Sequence, residues 1–235
     1  MSYRLLIEFQ NLFDGRSYLH RNSSLGDFVA MHLYEDLVAL NKSSKLKARV
    51  ETGEWVLNTS NRRQGIRARR GDGTFGEIVP NETPIADPDY LVARGKVATV
   101  EIGIEVKILA KAMIKQIDRV IGDLQKQVAH FRQGGGNPIC VAVVGVNHAP
   151  YTIGYEGERS FRTDGKANRH PYQESPEAER RLLADAAPYY DEFIVLHYSA
   201  TNEPPFPFSW TNFTLTSQNY GSVLVRISRE YDRRF

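Results

Sequence analysis

Apolar positions recur along the chain in two periods. Leu25, Val29, Leu33, Leu37 and Leu40 return every three or four residues, which predicts a helix over about 25–40. Met113, Ile114, Ile117, Val120, Ile121, Leu124, Val128 and Phe131 trace a second amphipathic helix of about 20 residues, stopped by the glycines of "QGGGN". "KARVETGEWVLN" alternates apolar and polar and predicts a strand. "DYLVA" and "VATVEIGIEVKIL" read as the two arms of a hairpin turned at "RGK". "PICVAVVGV" and "EFIVLHYSA" are near-continuous apolar runs, as in strands buried on both faces. "PEAERRLLADAA" reads as a short helix, "NEPPFPFSW" as a proline-broken loop and "GSVLVRISREY" as a closing strand. Helices interspersed with a mixed sheet, and no linker between them, predict one α/β domain over 1–235.

Composition narrows the class. The chain has 235 residues, 41% of them hydrophobic and 25% charged, enough for a real core and against disorder. The formal net charge is only +2, so a polyanionic partner has to be argued from local clustering. The one cysteine, Cys140, excludes an internal disulfide and sits in an apolar run, where a core role is expected. The longest apolar run is far short of the roughly 20 residues a bilayer span needs, and Glu8 interrupts the N-terminal apolar stretch. A soluble, cytoplasmic protein with no membrane partner is the expectation.

The candidate chemistry lies in "PDYLVARGKVATVEIGIEVKILAK". On a strand, Glu101, Gly103, Glu105 and Lys107 share one face while Ile102, Ile104, Val106 and Ile108 share the other. A packed strand has no need of two carboxylates and an ammonium on one side. If the chain turns at 94–96, Asp89 returns to lie opposite 101–105, and two carboxylates converge. Convergence makes sense around a hard divalent ion, Mg²⁺ above all, with the Val106 carbonyl as a further oxygen donor. Lys107 then points to the same side, where it can reach an attacking water or developing phosphoryl charge. Asp87 is a rival to Asp89, and Glu101 either joins the site or supports it from behind.

The pair Pro88-Asp89 followed by Glu105-Val106-Lys107, with fifteen residues between the acids, resembles the PD-(D/E)XK nuclease superfamily. The element order over about 20–146 is similar to that superfamily's core of helix, three strands, helix and strand. The resemblance implies a restriction-endonuclease-like core, with 147–235 adding C-terminal strands and recognition loops. It implies a metal-dependent phosphodiesterase that leaves a 5′-phosphate, with Asp89 and Glu105 on Mg²⁺ (Mn²⁺ substituting) and Lys107 on the water. Many members add an acid from the first helix, for which Glu35 and Asp36 are the candidates here. A stand-alone restriction or phage-defence endonuclease is the leading expectation. A repair or junction nuclease, or a catalytically silent nucleic-acid-binding module of the same fold, is the alternative.

The polyanion would be double-stranded DNA. Arg62, Arg63, Arg67, Arg69 and Arg70 fall within nine residues, and arginine suits bidentate phosphate or guanine contacts. Lys111 and Gln116, just beyond the acidic strand, are further candidates for phosphate contact. Cutting both strands of a symmetric site calls for a homodimer. The long polar segment after 147 carries His148 and His170 without the close spacing of a metal pair, and reads as a lid or recognition segment.

Overall fold

The computed structural model describes residues 2–19, 24–58, 62–63, 66–69 and 71–235, with only the backbone of 62–63 and 66–69. Three helices come first: α1 (Arg4–Asn11), α2 (Ser24–Leu40) and α3 (Ser44–Thr52). Strands β1 (Trp55–Asn58), β2 (Arg62–Arg63), β3 (Ile66–Arg69), β4 (Gly73–Glu77), β5 (Arg94–Gly95) and β6 (Ile102–Leu109) follow. Helix α4 (Met113–Arg132) leads to β7 (Ile139–Asn147), β8 (Ile153–Glu156) and β9 (Arg159–Arg162). Helix α5 (Pro171–Asp185), β10 (Glu192–Ala200), β11 (Phe208–Trp210) and α6 (Phe213–Arg234) complete the chain.

A mixed seven-stranded sheet runs in the order β11-β10-β7-β6-β4-β1-β5. The three apolar strands β6, β7 and β10 are parallel neighbours, joined by the crossover helices α4 and α5. Parallel strands need such crossovers, and helices on both faces bury β7 throughout, whereas β10 alternates between a buried and a half-exposed face. On one face Ile102, Ile104, Val106, Val141, Val143 and Leu196 pack with α1, α2 and α6. On the other, Cys140, Ala142, Val144 and Val146 pack with α4 and α5. The α/β class and the helices at α2, α4 and α5 agree with the sequence reading.

Four expectations give way. The hairpin at 94–96 does not form: β5 pairs β1 at the sheet edge, while β6 pairs β4 and β7. β5 thus lies three strand positions from β6, roughly 14 Å at the usual inter-strand spacing. The segment expected as one strand from Lys47 is first helix α3, whose Ser43 hydroxyl accepts the Leu46 N–H at 3.0 Å. Gly53, at φ +70°, ends that helix in a conformation only glycine adopts freely, and β1 starts two residues on. "GSVLVRISREY" lies within α6, because Tyr220, Val223, Leu224, Ile227 and Tyr231 form one buried helical stripe. The fourth is the end of "NEPPFPFSW", expected as loop, where Phe208–Trp210 instead pair with β10 as β11. Gly103 makes room for Phe131 of α4, since a Cβ there would lie 2.6 Å from the ring.

Trp210 is likewise packed, with its ring 5.6 Å from that of Phe9 on α1. Cys140 is fully buried. No helix among the described residues is long and apolar enough to cross a membrane.

Candidate functional site

Strand β4 begins at Gly73, opposite Ile104 of β6, and continuing this antiparallel register sets Asp72 opposite Glu105. Asp72 is stitched to β6 at two points. Its N–H donates to the Ile104 carbonyl at 3.2 Å, and its Oδ2 accepts the Val106 N–H at 2.7 Å. Since the N–H and C=O of one strand residue point to the same edge, the Val106 carbonyl also faces Asp72. Glu105, almost buried, accepts the Lys107 ammonium on Oε1 at 2.5 Å. Asp27, in the first turn of α2, adds a third negative charge that acts on Asp72. The α2 backbone comes so close that a Cβ on Gly26 would lie 2.7 Å from the Asp72 carboxyl.

The electrostatics follow from this crowding. Burial, and then the charge of Glu105, push the Asp72 pKa up to about 7, against the Val106 N–H and Lys107, which favour the charged form. Burial works against the Lys107 charge, but Glu105, with Asp72 and Asp123 of α4, more than offsets it, and the lysine pKa lies above its ordinary value. The negative charges of Glu105 and Asp27 thus disfavour the ionised form of Asp72. Asp72, Glu105 and the Val106 carbonyl offer oxygen donors only, the set that suits Mg²⁺.

The structure thus brings Glu105, Val106 and Lys107 together with an acid, but the acid is Asp72 and not Asp89. Asp89 stands in an exposed turn. Its N–H donates to Asp87 Oδ1 at 3.2 Å, and its carbonyl accepts Arg4 Nη1 at 2.9 Å. The first-helix acids also differ from expectation. Glu35 accepts the Leu91 and Val92 N–H groups at 2.7 and 3.0 Å, fixing the loop after Asp89. Asp36 accepts the Arg4 and Leu5 N–H groups at 2.7 and 3.0 Å, and the Tyr220 hydroxyl at 2.9 Å. Both are engaged in holding elements together, and Asp27, two turns earlier, is the α2 acid that faces Asp72. Glu101 leaves the group as well: it is bound by Arg49 at 2.7 Å, by the Trp55 indole N–H at 2.9 Å and by Tyr231.

Asp72 was within reach of sequence reasoning. "RGDGTFGE" puts an acid at the mouth of a short strand whose small residues permit close pairing, but the arginine run before it draws the segment into a loop. Among the candidate DNA contacts, Arg62, Arg63, Arg67 and Arg69 lie on the two-stranded ribbon β2–β3, described as backbone only, and Arg70 lies outside the described residues. Lys111 lines a cleft of about 860 Å³ with Lys115, Arg162 and Arg169, faced by the acids Asp164 and Glu174. Gln116 donates to the Lys111 carbonyl at 3.0 Å and so holds the start of α4. No protein-family model, curated protein or solved structure matches the chain.

Proposed function

We propose that the chain is a Mg²⁺-dependent endonuclease of double-stranded DNA with a restriction-endonuclease-like core. One observation carries the reading: Asp72 and Glu105, from paired strands, converge beside Lys107, with the Asp72 pKa near neutrality. A strongly shifted acid beside a second carboxylate and a lysine is characteristic of sites built for chemistry rather than packing. The order α2, β1, β4, β6, α4, β7, with α3, the β2–β3 ribbon and β5 inserted within it, also supports it, being helix, three strands, helix and strand.

Asp72, Glu105 and the Val106 carbonyl would hold the ion. Mg²⁺ there, or Mn²⁺ with the same oxygen preference, supplies positive charge beside a phosphoryl oxygen. Lys107 orients the water in line with the phosphorus and offsets the charge growing on the non-bridging oxygens. Water oxygen bonds to phosphorus, the bond to the 3′ oxygen breaks, and a 5′-phosphate remains. The water loses a proton to solvent, and the departing 3′ oxygen takes one up. Asp27 raises the negative potential that draws the cation in. The basic cleft begins at Lys111, four residues beyond Lys107 on the outgoing chain. With the arginine ribbon it gives a phosphate backbone two cationic contacts, which salt should weaken. Cutting both strands at once needs two such sites, and hence a homodimer.

The test is cleavage of supercoiled plasmid in Mg²⁺ or EDTA by wild type, Asp72→Asn, Lys107→Ala and Asp89→Asn. Cleavage in Mg²⁺ that falls at least a hundredfold in the first two variants and persists in Asp89→Asn is the expected result. Discrete fragments would mark a restriction-type enzyme, and a smear a nuclease without sequence preference. An inactive wild type that still shifts DNA on a gel would replace the enzyme with a binding module. Cleavage lost in Asp89→Asn but kept in Asp72→Asn would overturn the assignment of Asp72.

A further inference from the structure

A second cluster of ligand atoms lies away from the acidic site. β7 ends at Asn147, and the His148 N–H continues the ladder by donating to the Tyr198 carbonyl at 2.7 Å. On the adjacent β10, His197 points to the face covered by α5, because its neighbours Leu196 and Tyr198 fill the opposite core. Glu179 of α5 meets it, with Oε2 2.9 Å from His197 Nε2. One ligand atom from each of His148, Glu179 and His197 lies within 4.8 Å of the other two.

The histidine orientations are informative. Ser175, one turn before Glu179 on α5, engages His148 Nδ1 at 3.0 Å. His148 Nε2 is then buried with no hydrogen-bond partner among the described residues. A buried, unpaired ring nitrogen is costly unless something fills the position it faces. The imidazole rings of His148 and His197 stand 5.2 Å apart at 70°, turned edge to face and not stacked flat. Side chains of His197 and Glu179 remain 35% and 25% exposed, so an ion and water can reach the cluster.

We propose that His148, Glu179 and His197 form a binding site for a borderline divalent cation, Zn²⁺ in the first instance. Two imidazoles and a carboxylate are a Zn²⁺ donor set, and three protein ligands leave a position for water. Ser175 is the outer partner that fixes the His148 tautomer and aims Nε2 inward. The donor chemistry separates this site from the oxygen-only group at Asp72, since nitrogen donors select Zn²⁺, Co²⁺ or Ni²⁺ over Mg²⁺. So does its position. His197 lies two strands across from Glu105 and four residues further along the sheet, on the order of 15 Å away. A bound ion ties β7, β10 and α5 together at the end of the sheet where α5 begins to line the basic cleft.

The test is metal retention by the full chain. Protein stripped with EDTA is loaded with Zn²⁺ alone and desalted, and its metal content is measured for wild type, His148→Gln, His197→Gln, Ser175→Ala and Asp72→Asn. One equivalent in wild type and Asp72→Asn is expected, with binding at least tenfold weaker in either histidine variant and severalfold weaker in Ser175→Ala. Co²⁺ in wild type should give the intense visible band of a four-coordinate ion, a readout that needs no variant to fold. Failure to retain Zn²⁺, equal retention by His197→Gln, or a weak six-coordinate Co²⁺ spectrum would each overturn the site.

Discussion

Replacing Asp72 with asparagine should make the metal-free protein more stable at alkaline pH, although it removes a group from the centre of the proposed site. The carboxamide would keep an oxygen for the Val106 N–H, now at 2.7 Å from Oδ2, and would remove the charge that faces Glu105. The folded carboxyl titrates at about 7 against 3.8 for the free group. Between those values the folded chain holds a proton that the unfolded chain has lost, so its stability falls as pH rises. The contribution is whole below about pH 4, is lost progressively towards pH 7 and is flat above it. A shift of about three pH units at 1.36 kcal/mol each puts the ceiling at about 4 kcal/mol. In EDTA, Asp72→Asn should therefore match wild type near pH 3.5 and exceed it by as much as about 4 kcal/mol at pH 8, read by urea denaturation. Mg²⁺ should narrow the gap at pH 8 by stabilising only wild type, by about 2.7 kcal/mol at a hundredfold excess over Kd. A difference between the two proteins that does not change with pH, or a variant less stable than wild type at pH 8 in EDTA, would refute the reasoning.

Other substitutions separate architecture from chemistry. Asp36→Ala strips two backbone N–H groups of α1 and the Tyr220 hydroxyl of their acceptor, and should cost about 3 kcal/mol in a denaturant titration while cleavage in the cold survives. Glu101→Ala leaves Arg49 and the Trp55 N–H without their carboxylate, and should cost about 3–5 kcal/mol with no selective loss of cleavage. Gly103→Ala forces a methyl group against Phe131 and should cost about 2 kcal/mol; adding Phe131→Leu should recover part of it, and strictly additive losses in thermal unfolding would deny the contact. Asp89→Asn, in an exposed turn, should shift the unfolding midpoint negligibly.

Those elements whose periodicity matches their environment are readable from the chain alone. Helix α4 shows one apolar stripe and β7 is buried on both faces, so pattern and burial coincide there, whereas the apolar run of β10 belongs to a strand buried on one face only. α6 escapes such a reading because "VLVRI" satisfies a strand template as well as a helix, and only the tyrosines at 220 and 231 extend the stripe enough to decide. In the acidic site, Glu105 and Lys107 are visible as charges within an apolar strand. Their partner is not, because strand pairing is non-local. Asp89 and Asp72 are equally plausible on the page, and the choice rests on whether β6 accepts β4 or the segment before it. The His148, Glu179 and His197 cluster draws one residue from each of three elements, so no spacing along the chain announces it.

The Asp36 carboxylate has a consequence for how the molecule comes into being. It sits on α2, yet its partners are the first turn of α1 and Tyr220 of α6, 184 positions further along. The same apolar face is closed by Leu224, Ile227 and Tyr231 of that last helix. During synthesis Asp27, Asp72, Glu105 and Lys107 all emerge well before Tyr220. Until α6 arrives, that face of the sheet is covered by α1 and α2 alone, and Asp36 is short of the Tyr220 donor. A chain cut short before Tyr220 therefore carries every residue of the acidic site but lacks the helix that completes the apolar face behind it.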